Sequence, residues 1–404
     1  MSLFPLELID SVLTEVHTHR PTLLSCSLIS RPWLTRTRIF LFSSVKVNGR
    51  LRDRRFGLFA EFLAESPHIA PLIQELVLYG DIPLQPPIIT QDGTEKILSG
   101  LTNLRKLVLH QVIFKVLHDI PKTPPLRRLQ RLAITGTPVY ICGEHYTSYD
   151  FSGYWGIVGL FTHIKEIYIA DLLTSLPKEE TIPIQQTFKI DTEIEEFTIG
   201  SHAHTAAIVN SFRKFTHRRN FRALEVSIHD DHDLTEFGEL LTESSARVRH
   251  VGISIADGAP IFSEEVNIDI WGSFYAPGFT FLTSFMLDLQ VYSPITMDIA
   301  VSMLRSLEKC HRLATILQHL KIQLLLPDHT PDAVSQISDF NWETLAQWII
   351  QRRSIKKVEI VICDWFDTFK GPRPNEVRAI RRALPVLDEK GILDVHAHHK
   401  LSMT

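Results

Sequence analysis

One short motif recurs along this chain: an apolar residue, two of any kind, an apolar residue, one of any kind, and a third apolar residue. Copies occur at Ile73/Leu76/Leu78, Leu104/Leu107/Leu109, Leu129/Leu132/Ile134, Ile164/Ile167/Ile169 and Ile194/Phe197/Ile199. Five more follow at Phe221/Leu224/Val226, Val248/Val251/Ile253, Leu282/Phe285/Leu287, Leu317/Leu320/Ile322 and Ile355/Val358/Ile360. Their starts are separated by 31, 25, 35, 30, 27, 27, 34, 35 and 38 residues. Such triplets arise by chance about 30 times in an apolar-rich chain of this length, so their surroundings must decide what they mean.

Those surroundings are regular. Several copies open on an apolar residue followed by a polar pair, as in Leu104-Arg105-Lys106, Ile164-Lys165-Glu166, Ile194-Glu195-Glu196 and Ile355-Lys356-Lys357. Helical patterns fill the gaps at 94–100, 205–215, 234–243, 297–310 and 342–353. A single strand–helix unit cannot bury its own apolar face, whereas stacked neighbours bury a continuous core. The succession resembles leucine-rich repeats. That resemblance implies an α/β fold, an irregular solenoid with a curved parallel sheet, over residues 49–404. The asparagine usual in such repeats is replaced, in copy order, by Asp81, Val112, Thr137, Leu172, His202, His229, Ala256, Gln290, Leu325 and Cys363. The turns are therefore expected to be satisfied by other means. The competing parse is a non-repetitive α/β domain. On the solenoid reading Tyr79, His110, Tyr168, Glu225, Asp288, Lys321 and Glu359 point to the concave face. A helix from Asn375 and a strand at 392–395 close the array.

Residues 1–48 read differently, as three short helices and a strand. Pro5 suits the start of a helix, and Leu6, Ile9, Leu13 and Val16 fall on one helical face that Leu8 and Val12 widen. Pro21 opens a second helix bearing Leu23, Leu24 and Leu28, and Pro32 a third bearing Trp33, Thr37 and Phe40. The strings Phe4-Pro5-Leu6-Glu7-Leu8-Ile9, Leu23 to Ile29 and Arg31-Pro32-Trp33-Leu34 resemble an F-box, most closely in the style of fungal F-box proteins. Phe4-Pro5 stands where that family has Leu-Pro. The resemblance implies a three-helix module that docks on a Skp-type adaptor of a cullin ubiquitin ligase through Phe4, Pro5, Leu8, Ile9, Leu24, Leu28 and Trp33. It implies a substrate receptor with no catalysis of its own. An F-box-like scaffold without a ligase role is the first alternative.

Composition narrows the field. A formal charge of −4 argues against a dedicated nucleic-acid binder, and no apolar run is long enough for a membrane span. Cys26, Cys142, Cys310 and Cys363 lie far apart, which fits a reduced cytoplasmic or nuclear setting. No phosphate-binding glycine loop, nucleophile elbow or zinc-protease helix motif is present, and no cofactor is implied. The run His229-Asp230-Asp231-His232-Asp233 is rich in metal-binding side chains, and a metal-dependent hydrolase using His229, Asp231 and His232 is the second alternative. Five consecutive residues cannot converge on one ion, and Asp233 with Glu236 reads instead as a helix cap.

Aromatic residues cluster in three insertions. Tyr149, Tyr154 and Trp155 lie in the first, Trp271 and Tyr275 in the second, and Trp365 in the third. Aromatic rings on loops of a rigid scaffold suit recognition of a protein target, and folding back over the sheet is the alternative. The strand positions Thr135, Thr198, Ser227, Gly252 and Ser254 are small or uncharged. Target contact is therefore expected to be loop-dominated and not electrostatically steered.

Overall fold

The computed structural model describes residues 5–49, 55–80, 87–115, 126–136, 138–142, 148–149, 151–175, 190–200, 204–216, 221–244, 247–255, 281–290, 304–305, 316–326, 333–338, 340–364 and 373–398. The chain forms two compact units, residues 1–193 and 194–404.

The first unit opens with helices α1 (Leu6–Glu15), α2 (Arg20–Ser27) and α3 (Arg31–Ser43). Pro21 and Pro32 sit in the first turns of α2 and α3, where a missing N–H costs nothing. Ile9 and Leu13 from α1 pack against Leu23 and Cys26 from α2, with Val16, Trp33, Phe40 and Leu41 closing around them. Helix α3 runs without a linker into β1 (Ser44–Gly49). Four further strands of the large parallel sheet follow: β2 (Glu75–Gly80), β3 (Lys106–His110), β4 (Leu126–Thr135) and β5 (Phe161–Ala170). Strands β1 to β5 pair in chain order, all parallel. Short strands interleaved with them in sequence, at Ile88–Thr90, Ile113–Lys115, Pro138–Cys142, Ser148–Tyr149 and Leu173–Ser175, form two small further sheets. Helices α4 (Arg55–Glu65), α5 (Gln91–Gly100) and α6 (Ser152–Val158) lie between strands in sequence.

The described strands of the second unit are β6 (Glu193–Ile199), β7 (Ala223–Ile228), β8 (His250–Ile255), β9 (Ser284–Gln290), β10 (His319–Leu326), β11 (Lys357–Asp364) and β12 (Leu393–His398). These too pair in chain order and in parallel. Its described helices of more than one turn are α7 (Thr205–Phe215), α8 (Asp231–Ser244), α9 (Ala333–Ser338), α10 (Trp342–Ile350), α11 (Pro374–Ala383) and α12 (Pro385–Glu389). The closing helix and strand expected near Asn375 and 392–395 are α11 and β12. The helix expected at 297–310 falls on residues described only at 304–305.

Register explains the motif. Leu76, Leu107, Leu132 and Ile167 are direct neighbours across four strands, as are Leu78, Leu109, Ile134 and Ile169. In the second unit Phe197, Leu224, Val251, Phe285, Leu320 and Val358 form one row, and Leu393 extends it. All of these but the partly accessible rim at Leu393 are sealed from water, each contributing about 1.5–3 kcal/mol relative to exposure. Phe197, Phe212 of α7 and Phe221 stack with centroids 4.8–6.0 Å apart, which places α7 on the apolar face of its unit.

Strict alternation puts residues three apart on opposite faces, yet the first and second apolar positions of every triplet are both buried. The backbone resolves this conflict. The Gln74 carbonyl accepts from both Arg105 and Lys106 N–H, and the Arg105 carbonyl from both Gln130 and Arg131. The same doubled acceptance recurs at Arg222, Arg249, Thr283 and Gln318. Two residues thus stand opposite one, as in a β-bulge, and the extra residue restores the inward direction.

Strand exits are equally repetitive in the first unit. Gln111, Gly136 and Asp171, each directly after a strand, have φ of 55°, 59° and 52°. Gln111 N–H donates to the Thr135 carbonyl and Gly136 N–H to that of Ala170. Backbone bonds between successive turns thus do there what an asparagine ladder does elsewhere.

Candidate functional site

The helical module carries a sealed interior and an apolar exterior. Ile9 is 1% exposed and belongs to the interior, which removes it from the expected adaptor surface. Trp33 is half-buried against the same core. Pro5 is exposed, and Leu8, Leu24 and Leu28 are 50%, 51% and 86% exposed. Leu6, Val12 and Ile29 are also exposed and enlarge the surface beyond the residues singled out from sequence. Helical arithmetic explains the split: Ile9, Leu13 and Val16 share one face, while Leu8 and Val12 share the next. Phe4 lies outside the described residues.

The aromatic insertions fare differently. Tyr154 and Trp155 lie on α6 rather than on a loop, and both are buried, Trp155 with 0% exposure. They are core cover, which corrects their expected role as exposed anchors. Gly153 lets α6 approach so closely, since a Cβ there would overlap the Phe114 carbonyl oxygen. Tyr149 is in a short strand whose side chains are outside the description, and Trp271, Tyr275 and Trp365 lie outside the described residues altogether.

Side chains on the other strand face are mostly half-exposed. Tyr79, His110, Tyr168, Glu225, Lys321 and Glu359 are half-buried there, and Asp288 is buried. In the second unit several strand charges are paired. His250 Nε2 lies 3.0 Å from Glu225 Oε1, and its Nδ1 3.0 Å from Ser284 Oγ. Glu359 is a hub, 3.0 Å from Lys357 Nζ, 3.3 Å from His319 Nε2, 3.8 Å from Lys321 Nζ and 3.9 Å from His396 Nε2. Burial pushes the Glu359 carboxyl up, but the Lys357 hydrogen bond and the surrounding cations outweigh it and hold it below its ordinary value. Burial holds the His319 imidazole below its own ordinary value despite Glu359.

Three members of the histidine–aspartate run, His229, Asp230 and Asp233, bond to one another, and the Asp231 side chain lies outside the described residues. Asp230 Oδ1 accepts the Asp233 N–H at 2.8 Å, so Asp230 rather than Asp233 caps α8. Asp233 is buried and accepts the N–H of Ala206, the N–H of His229 and a contact from His229 Nδ1 at 3.1 Å. His232 is exposed. Among the described residues no group of three or more His, Cys, Asp or Glu is placed to hold a metal ion, and no helix is long and apolar enough to cross a membrane.

Compared with known proteins, the chain matches no family model and no curated protein.

Proposed function

We propose that this chain is the substrate-recognition subunit of a Skp–cullin–F-box ubiquitin ligase, with an F-box-like module at residues 1–48 and a divergent leucine-rich-repeat-like array behind it. One observation carries the reading. Leu8, Leu24 and Leu28 stand exposed around a module whose own core, Ile9, Leu13, Leu23 and Cys26, is already closed. Leu8 with Val12 on α1, and Leu24 with Leu28 at the end of α2, are helical neighbours four residues apart, and exposed apolar pairs of this kind call for a partner. The adaptor surface is Pro5, Leu8, Leu24 and Leu28, with the exposed part of Trp33 and with Leu6, Val12 and Ile29 beside them. The chain itself catalyses nothing on this reading. The stacked strands present a target to the ligase core.

Pull-down of a Skp-type adaptor, compared between wild type and the Leu8→Asp/Leu28→Asp variant, tests this. Adaptor recovered by the wild type alone supports the reading, and a wild type that recovers none ends it. A cullin that co-purifies separates a ligase subunit from an adaptor-binding scaffold.

A further inference from the structure

The strands of the first unit carry an excess of one charge that the whole chain does not. Among their described side chains and those at their entries, Lys46, Arg105, Lys106, Arg128, Arg131 and Lys165 stand against only Glu75 and Glu166. Yet the chain is formally −4. On the strands β6 to β12 and at their entries the balance reverses, with Glu193, Glu195, Glu196, Glu225, Asp288, Glu359 and Asp394 outnumbering Arg222, Arg249, Lys321, Lys356 and Lys357 among the described side chains. Lys106 binds Glu75 at 2.7 Å and Arg131 binds Glu166 at 3.2 Å, which consumes both carboxylates. Lys46, Arg105, Arg128 and Lys165 are exposed.

Register gathers this charge. Glu75, Lys106, Arg131 and Glu166 form one row across four strands, and Arg105 and Lys165 each lie one residue before it in sequence. The next row on the same face is Lys46, Val77, Val108, Ala133 and Tyr168. Beyond it, Tyr79 accepts a hydrogen bond from Asn48 at 3.1 Å, and within it the centroid of the Tyr168 ring lies 5.6 Å from Arg131. A cationic edge therefore borders a short apolar row flanked by two tyrosines.

We propose that this face binds an acidic, extended segment of a protein target, its carboxylates along the cationic edge and one apolar side chain on Val77 and Val108. Four strand spacings of about 4.8 Å are spanned by roughly six extended residues. The proposal rests on the reading of the array as the target-binding part, and it names the chemistry of that target. Electrostatic complementarity of this kind sets specificity and encounter rate, and it weakens as salt rises. A nucleic acid would satisfy the cations but would leave the valine row against phosphate or sugar.

The test is fluorescence anisotropy of the full chain with a labelled Glu-rich peptide carrying one central Phe. An equally charged single-stranded oligoribonucleotide runs in parallel. The peptide is expected to bind wild type, to bind less well as salt rises, and to lose on the order of tenfold in affinity with Arg105→Glu/Lys165→Glu. Arg249→Glu/Lys356→Glu in the second unit is expected to leave binding unchanged, and circular dichroism verifies that both variants fold. No peptide binding by wild type, an equal loss in both variants, or an oligoribonucleotide bound as well as the peptide would each overturn the proposal. No adaptor enters the assay, so its outcome is separable from that of the pull-down.

Discussion

Asp233 Oδ1, in the first turn of α8, accepts the N–H of Ala206, in the first turn of α7, at 2.6 Å. One buried carboxylate thereby serves the ends of two helices, and its second oxygen takes the His229 N–H at 2.9 Å. Arg213 of α7 reinforces the pair from the far side by reaching Glu236 and Glu243 of α8 at 3.0 and 2.8 Å. Asp233→Ala leaves two amide donors unmatched and is expected to cost about 2–3 kcal/mol, read as a lower urea midpoint. Asp233→Asn, which keeps one acceptor, should fall between that variant and wild type. A midpoint unmoved by Asp233→Ala would mean that water replaces the carboxylate at no cost.

Acid should weaken the fold well above the pH at which carboxylates titrate. Burial, aided by His229 and opposed by Asp233, holds His204 below its ordinary 6.5, and burial does the same for His319. The unfolded chain takes up these protons first, so stability falls as pH drops from about 6.5 towards the lowered folded values. Glu359 and Asp394 are held below 4.5 and 3.8, so what they contribute is present above those values and is lost as pH falls through the lower folded ones. Urea midpoints at about pH 7.5 and about pH 5.5 should differ in favour of the former, and His204→Gln/His319→Gln should shrink the gap.

Two glycines are expected to resist substitution for different reasons. Gly153→Ala drives a methyl into the Phe114 backbone and should cost about 1–3 kcal/mol by overpacking. Gly136→Ala places a side chain at φ +59° against His110 and Gln111, at a cost of about 1–2 kcal/mol. Thermal unfolding of each variant measures both.

Within the helical module, stability and docking should separate cleanly. Ile9→Ala opens the closed core and is expected to cost about 2–4 kcal/mol. Leu28→Asp, on the exterior, should stay within about 0.5 kcal/mol of wild type while abolishing adaptor capture. Destabilisation by Leu28→Asp comparable to that of Ile9→Ala would show the exterior to be part of the fold.

Trp155→Ala should behave as a core truncation, losing about 3–5 kcal/mol. A variant as stable as wild type would return the ring to the surface.

The strands are legible in the sequence because each triplet turns three apolar residues to the same buried face, and helical segments fall in five of the nine gaps between the ten sets. The exits are not. Gln111 and Asp171 adopt a conformation that glycine or asparagine would signal, so nothing in their identity marks the turn. Trp155 was misplaced because Ser152-Gly153-Tyr154-Trp155-Gly156 has the composition of a loop, and only the close backbone approach at Gly153 makes it a packed helix. Ile9 and Leu8 differ by one residue and by an entire face, a distinction that depends on where α2 and α3 lie. Asp230 and Asp233 are both suitable caps, and the neighbouring α7, distant in sequence, claims the second. The cationic edge is not marked by the small strand-face residues, because of these only Thr135 belongs to the first unit, and it lies four residues beyond Arg131 on its strand.

The shared carbonyls at strand entry have a bearing on how such a chain changes length. A residue inserted between the first and second apolar positions of a triplet has no place left, because the one extra residue the ladder accepts is already there. It would turn the strand over, presenting Phe285 or Leu320 to water and their polar neighbours to the core. The same residue added after a strand joins a crossover whose span already varies, since the triplet starts lie between 25 and 38 residues apart. Growth and loss are thereby steered to the connections, and those are where a reporter or a new binding loop can be grafted without disturbing the rows.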